Sequence, residues 1–320
     1  MLLLVACSAP VPVKADHSLF WRNTDLSFGK MLNTVAPDGK GGPFLNTWFR
    51  RFDGRPLPAQ YVESLGNDPS AWDLEALRFK VTGIHNRIDL ASPGVHCGEL
   101  RVSMASEDPA LQPFHVLFVF RQPAKAGDCT AVAQKWADLS SLEGEALTSS
   151  LRVALAEGLT RDRFVVAETL ELTLGPWEWR QWTPQLQNPP LFQQLDVETL
   201  NAGGPLRTEF LAWAQENAAA LKARTLLVPE RFRAPSVRVS PSSRTPLALD
   251  GPLRQNLEIV GCAGCHTADA DFIQTRTDGT LSPFYEKELH AREKLLERLA
   301  RGEKVVAPFG PLQENAVLPQ

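Results

Sequence analysis

Apolar and polar positions follow two different periods along the chain, and each period predicts one kind of element. Alternation with a period of two predicts β-strands, and apolar residues spaced by three and four positions predict helices that bury one face. The strand pattern covers residues 78–90, 99–104, 114–121 and 164–182, with Gly175-Pro176 interrupting the last run. The helix pattern covers residues 130–139 and 147–157, and it returns after Gly204-Pro205 and between Ser282-Pro283 and Gly302.

These elements predict an α+β fold, in which an antiparallel sheet with flanking helices forms the N-terminal domain. Several Pro with Ser and Arg occur over residues 229–248, a composition typical of a linker. The sequence therefore predicts an N-terminal domain over residues 17–228 and a short α-helical module over residues 249–320. Residues 1–16 are predicted to form a lipidated start and an extended tether.

Two neighbouring strands carry charged side chains on one face. Antiparallel pairing would place Arg87 and Asp89 beside Glu99 and Arg101, which predicts a cross-strand ladder worth a few tenths of a kcal/mol per pair. A functional cluster is the alternative, although the arginines are expected to pair with the carboxylates. That metal-binding or acid–base cluster would consist of His85, His96, Asp89 and Glu99.

The stretch with the most specific chemistry is Cys262-Ala263-Gly264-Cys265-His266. Two thiols three positions apart add to the vinyl groups of haem, and a histidine directly after the second thiol then ligates the iron. We therefore expect one haem c, with Cys262 and Cys265 as covalent anchors and His266 as proximal ligand. A local disulfide between the two thiols, or half of a zinc site, are the alternatives.

Predicted helices flank this pentad. Asp250-Gly251-Pro252 provides a helix start before it, and the helix after Ser282-Pro283 carries acidic residues early and Arg near its end. The order of helix, pentad, loop and closing helix resembles a reduced cytochrome c domain over residues 249–305. The resemblance implies electron transfer by a covalently bound haem.

The sixth iron ligand departs from that resemblance. Electron-transfer cytochromes c supply a Met before their last helix, but the three Met of this chain, at positions 1, 31 and 104, all precede the pentad. His290 is the only histidine after His266, and it shares its helix face with charged residues. It is a candidate sixth ligand or an ordinary surface histidine; otherwise the position is open, which suits ligand sensing, or is filled from the N-terminal domain.

The N-terminal sequence resembles the end of a bacterial lipoprotein signal. Leu4-Val5-Ala6 precedes Cys7, and in such signals the thiol receives the lipid. The apolar run before Cys7 is shorter than a signal peptide needs, so we expect the true start to lie upstream. An unmodified, slightly apolar N-terminus is the alternative. Lipid on Cys7 would tether the protein to a membrane.

The remaining cysteines and the composition bear on location and partners. Cys97 and Cys129 are left as an even pair, which predicts one disulfide in an exported chain, with two buried free thiols as the alternative. A net charge of −4 and a pI near 5.9 argue against a nucleic-acid partner. No hydrolase, metalloprotease or phosphate-loop motif occurs, so no catalytic residue is predicted.

Several short motifs follow one another along the chain: Phe28-Gly29, Trp48, Ile84-His85-Asn86-Arg87-Ile88-Asp89-Leu90, Cys97-Gly98-Glu99-Leu100-Arg101, Trp177-Glu178-Trp179-Arg180 and the pentad. Their order resembles a family of uncharacterised bacterial secreted proteins and lipoproteins that ends in Cys-x-x-Cys-His. The resemblance implies no activity.

The sequence thus predicts a c-type haem protein of the periplasm or outer cell envelope. It would transfer electrons with a redox partner, or sense a small ligand or redox state, through one haem. The alternative is a haemless envelope lipoprotein with a binding or structural role, in which Cys262 and Cys265 form a disulfide and the Trp-rich strand binds a partner or glycan.

Overall fold

A computed structural model describes a little over half of the chain. The pentad, Cys7 and the helix predicted after Pro252 lie outside the described residues. The described residues are 15–17, 20–21, 26–50, 65–92, 96–108, 114–124, 128–171, 177–182, 200, 202–218, 229–232, 236–239, 280–281 and 283–303.

Eight strands in the described part form one sheet, and each strand pairs with the next one along the chain. All of these pairings are antiparallel, which confirms the predicted antiparallel sheet. The strands are β1 Ala15–His17, β2 Phe20–Trp21, β3 Phe79–Ser92, β4 His96–Ser106, β5 Phe114–Pro123, β6 Phe164–Glu171, β7 Trp177–Trp182 and β8 Ser236–Val239.

Six α-helices accompany the sheet in the described residues, and the α+β class is confirmed. Pro is the first residue of two of them, where its missing N–H costs no hydrogen bond. The helices are α1 Phe28–Val35, α2 Gly41–Arg50, α3 Thr130–Ser140, α4 Gly144–Gly158, α5 Pro205–Glu216 and α6 Pro283–Ala300.

One strand lies within the stretch that was predicted to be a linker. β8 pairs with β7, and its sequence Ser-Val-Arg-Val alternates with a period of two. The surrounding prolines mask this short pattern in the sequence. At least residues 236–239 of the predicted linker therefore belong to the sheet.

One face of the sheet forms the main apolar core with the helices. Leu100 and Val102 of β4 are fully buried there, and Phe28 of α1 packs on Phe118 of β5 with ring centroids 6.1 Å apart. Trp136 of α3 lies 5.1 Å from the Trp21 ring. Burial of each such side chain stabilises the fold by about 1.5–3 kcal/mol.

Helix α6 packs on β3 and on α3, and its apolar side chains join the same core. Residues 283–300 are therefore part of the core that the sheet builds, although they follow the predicted module start at residue 249. The boundary itself stays a prediction. The buried apolar side chains of α6 are Tyr285, Leu289, Ala291, Leu295, Leu296 and Leu299.

None of the helices in the described ranges has both the length and the apolar character that crossing a membrane requires.

Candidate functional site

Polar side chains line the sheet face opposite the main core, where β3 and β4 run side by side. Their register pairs Arg87 with Glu99 and His85 with Arg101, so the predicted neighbourhood of these charges is confirmed. We call this set the polar face. It consists of His85, Arg87 and Asp89 on β3 and Glu99, Arg101 and Ser103 on β4.

A glycine lets the two strands come close at this point. Gly98 has φ of +80°, a conformation that side chains disfavour, and a Cβ there would collide with the Arg87 carbonyl group. The register between the strands shifts here between Arg87 and Ala91. Gly98 therefore allows the close backbone approach beside the Arg87–Glu99 pair.

Two ion pairs on the polar face run along the strands. Arg87 Nη2 lies 2.8 Å from Asp89 Oδ2, and its Nε donates to Asp89 Oδ1 at 3.0 Å, which is the forked geometry of a strong pair. Arg101 Nη2 lies 2.6 Å from Glu99 Oε2. All four side chains are at most 9% exposed.

This burial differs from the weak ladder that the sequence predicts. Helix α6 contributes at Asp89, because it places the fully buried Arg292 beside this residue, with its Nε 3.3 Å from Asp89 Oδ1. Burial raises the pKa of Asp89, but the charges of Arg292 and Arg87 outweigh it and lower this pKa below its ordinary value. Asp89 is therefore a buried carboxylate held between two guanidinium groups.

His85 connects the two strands to α6. Its Nδ1 shares a hydrogen bond of 2.7 Å with Tyr285 OH, and its Nε2 shares one of 3.0 Å with Ser103 Oγ. Burial, and next the charges of Arg292 and Arg101, lower the pKa of His85 well below its usual range. The ring is thus a neutral bridge between sheet and helix.

The metal-binding alternative for this cluster is wrong. In the part of the chain that the structure describes, no group of three or more His, Cys, Asp and Glu is arranged to hold a metal ion. The physical reason is that arginines take both carboxylates, Asp89 and Glu99, while Tyr285 and Ser103 take the His85 ring.

Two further buried histidines lie on the sheet. His96 Nδ1 accepts a hydrogen bond from Gly98 N at 3.2 Å, so its proton sits on Nε2, which has no hydrogen-bond partner. The Nε2 of His115 on β5 is also buried without a hydrogen-bond partner. Burial lowers the pKa of each ring to about 4, with the charge of Arg121 adding to the effect at His96.

Acid is expected to destabilise the fold through these neutral rings. The unfolded chain takes up protons near pH 6.5, whereas His96 in the folded chain takes one up only near pH 4. Stability is therefore fully present above pH 6.5 and is lost as the pH falls toward 4, by about 3 kcal/mol for this residue. Urea unfolding at a series of pH values measures it, and His96→Gln should flatten the curve. A profile with the same slope in the variant would contradict this assignment.

The other predicted site residues are the cysteine pair, the candidate sixth ligand, and the residues of the lipid and haem sites. The structure pairs Cys97 with Cys129 in a disulfide that joins the start of β4 to the residue before α3. The side chain of His290 is 57% exposed, and its Nδ1 lies 3.5 Å from Glu293 Oε2, which is typical of a surface histidine. Its role as sixth ligand stays a prediction. Cys7, Cys262, Cys265 and His266 lie outside the described residues.

Sequence reasoning missed the part that α6 plays in this site. The apolar spacing marks Tyr285 only as a core position of the predicted helix, and it does not single out Arg292. A signal exists, because Arg292 lies seven positions after Tyr285 and so on the same helix face. A charged residue on a buried face needs a buried partner.

Comparison with protein-family models, with curated proteins and with solved structures finds no match to this chain.

Proposed function

We propose that this protein is a cell-envelope haem protein that handles electrons, or senses a small ligand, through one haem c. The observation that carries the proposal is the pentad, in which Cys262 and Cys265 would hold the porphyrin by thioether bonds and His266 would ligate the iron. Haem iron supplies one-electron chemistry or a binding position for a small molecule. The polypeptide anchors and orients the group.

The contacts of helix α6 with the sheet support a structural role for the sheet in this function. Tyr285 follows the pentad closely in sequence, and its hydroxyl bonds to the buried His85 on β3. Arg292 adds the buried ion pair with Asp89. We propose that residues 249–320 form a reduced cytochrome c-like module whose closing helix packs on the sheet rather than only on its own module.

The disulfide supports the proposed location in the periplasm or outer envelope. Disulfides persist in oxidising compartments, and covalent haem attachment takes place there as well. Lipid on Cys7 would tether the protein to the membrane, close to a redox partner. The resemblance to bacterial secreted proteins and lipoproteins agrees with this location.

A haem-stained denaturing gel tests the proposal. The full chain, produced in a host that matures c-type cytochromes, is expected to keep its haem stain after denaturation because thioether bonds survive. Cys265→Ala and Cys262→Ala should each lose most of the stain. The double variant Cys97→Ala with Cys129→Ala is the matched control, since it removes two cysteines outside the pentad and should stay stained.

The same gel distinguishes the proposed haem protein from its rival, a haemless lipoprotein. A wild-type chain without stain, in which a thiol assay finds Cys262 and Cys265 oxidised, would replace the proposal by a haemless envelope lipoprotein. Equal staining of wild type and Cys265→Ala would also contradict covalent attachment at the pentad.

A further inference from the structure

The disulfide of the sheet joins two elements and lies close to a third. Cys97 belongs to β4, and Cys129 is the residue directly before α3. The end of α6 reaches the same place, because a Cβ added to Gly302 would lie 4.0 Å from Thr130 Oγ1. The start of α3 is thus bonded to the sheet at Cys129 and meets the end of α6 at the next residue.

The first turn of α3 has few other attachments to the sheet. In this helix, which the structure describes completely, the buried side chains are the small Ala133 and, further on, Trp136 and Leu139. Trp136 is also fixed by a hydrogen bond from its Nε1 to Gln122 Oε1 on β5. The second half of α3 is therefore held by its own packing, whereas the first turn depends mainly on the bond at Cys129.

The two sulfurs are enclosed. Cys97 is fully buried, and Cys129 is 8% exposed. A thiol reduces a disulfide only when its thiolate can approach one of the sulfurs. A reductant therefore reaches this bond when the start of α3 moves away from β4. Since reduction removes the covalent link that holds α3 there, reduction and opening favour each other.

We propose that the Cys97–Cys129 disulfide is a redox-sensitive switch. When oxidised it holds the start of α3 and the adjoining end of α6 against the sheet, and its reduction by a dithiol frees both. One thiolate of the dithiol attacks a sulfur of the bond, and the other cysteine leaves as a thiolate. The second thiolate of the dithiol then displaces the first cysteine from the mixed disulfide. The protein gains the electrons and protons that the dithiol loses, and the dithiol becomes a disulfide. The switch goes beyond the proposed function and uses no haem.

Hydrogen exchange measured by nuclear magnetic resonance tests the switch in the full chain. The informative amides are those of Ala133 in α3 and of Arg301 and Gly302 after α6, because each donates to a backbone carbonyl group in the structure. In Cys97→Ala with Cys129→Ala they should exchange about tenfold faster or more, while the amides of β5 and β6 keep their rates.

Lys294→Ala is the control for this measurement, since Lys294 is an exposed residue of α6. Its amides should exchange as in the wild type. Equal rates at the two helix ends in the cysteine variant would overturn the proposal. Faster exchange throughout the sheet would overturn it as well, because the bond would then stabilise the whole fold rather than these two helix ends.

A second measurement uses the wild-type disulfide and does not depend on how the cysteine variant folds. The full chain is treated with dithiothreitol, its thiols are alkylated, and peptide masses report Cys97 and Cys129 separately from the other cysteines. Reduction should be much slower in the native chain than in urea. Leu299→Ala, which weakens the packing of the last turn of α6, should speed it several-fold, and Lys294→Ala should not.

The two remaining outcomes of this assay contradict the proposal. Native reduction as fast as in urea would show that the bond needs no opening. A wild-type rate in Leu299→Ala would show that the end of α6 does not control access to it. A chain without haem would leave the expected results for Cys97 and Cys129 unchanged, so failure of the switch and failure of the proposed function are distinguished.

Discussion

A chain that ends at residue 280 is expected to lose cooperative unfolding of its sheet domain. Without α6 the main core loses its contacts with Leu289, Leu295, Leu296 and three further apolar side chains. At about 1.5–3 kcal/mol for each, their burial is worth roughly 10 kcal/mol. That equals the whole stability of a typical domain, about 5–15 kcal/mol. Circular dichroism during urea unfolding measures the loss.

The deletion has a further cost at the polar face. Asp89 would lose Arg292, and His85 would lose the Tyr285 hydroxyl. His290→Ala is the control, because this side chain lies on the exposed side of α6 and should change stability little. A truncated chain with the same urea midpoint as the full chain would show that the sheet is an independent domain.

Replacement of Asp89 by Ala is expected to cost about 3–5 kcal/mol, since it leaves two buried guanidinium groups without their carboxylate. Arg87 Nη2 lies 2.8 Å and Arg292 Nε 3.3 Å from this carboxylate, and its side chain is fully buried. Urea unfolding at pH 7 measures the change. Glu157→Ala is the matched control, because its pair with Lys135 is exposed to solvent and therefore contributes little to stability.

A double-mutant cycle measures how strongly Arg292 interacts with Asp89. If the ion pair between Arg292 on α6 and Asp89 on β3 is strong, Asp89→Ala should lower the free energy of unfolding much less in a chain that already carries Arg292→Leu. Additive costs of the two changes would mean that Arg292 and Asp89 do not interact. A cost of Asp89→Ala no larger than that of Glu157→Ala would contradict the burial of this cluster.

Alternation along the strands is the part of the fold that the sequence predicts well. It places the strands of the central sheet, and it places Arg87 next to Glu99, because a period of two assigns every side chain to a face. The same reasoning overlooks β8, since four residues between prolines are too few to establish a period. Strand length thus limits the prediction.

The contact between α6 and the polar face could not be predicted in this way. Periodicity shows that Tyr285 faces a core, but it does not say which core, and its partner His85 is 200 positions away. For the same reason the charges on β3 and β4 look solvated in the sequence. They are buried in the structure, and two of the residues on this face, Asp89 and His85, contact side chains of a distant helix.

The candidate haem site depends on a local motif. Thiol spacing alone predicts Cys262, Cys265 and His266. A sixth ligand from another element of the chain would carry no such local signal.

The central claim, covalent haem at the pentad, is tested most directly by the intact mass of the purified full chain. The protein from a host that matures c-type cytochromes should exceed the polypeptide mass by one haem, and Cys262→Ala with Cys265→Ala should not. The bare polypeptide mass in the wild-type sample, from a host that attaches haem to a control cytochrome, would contradict the claim.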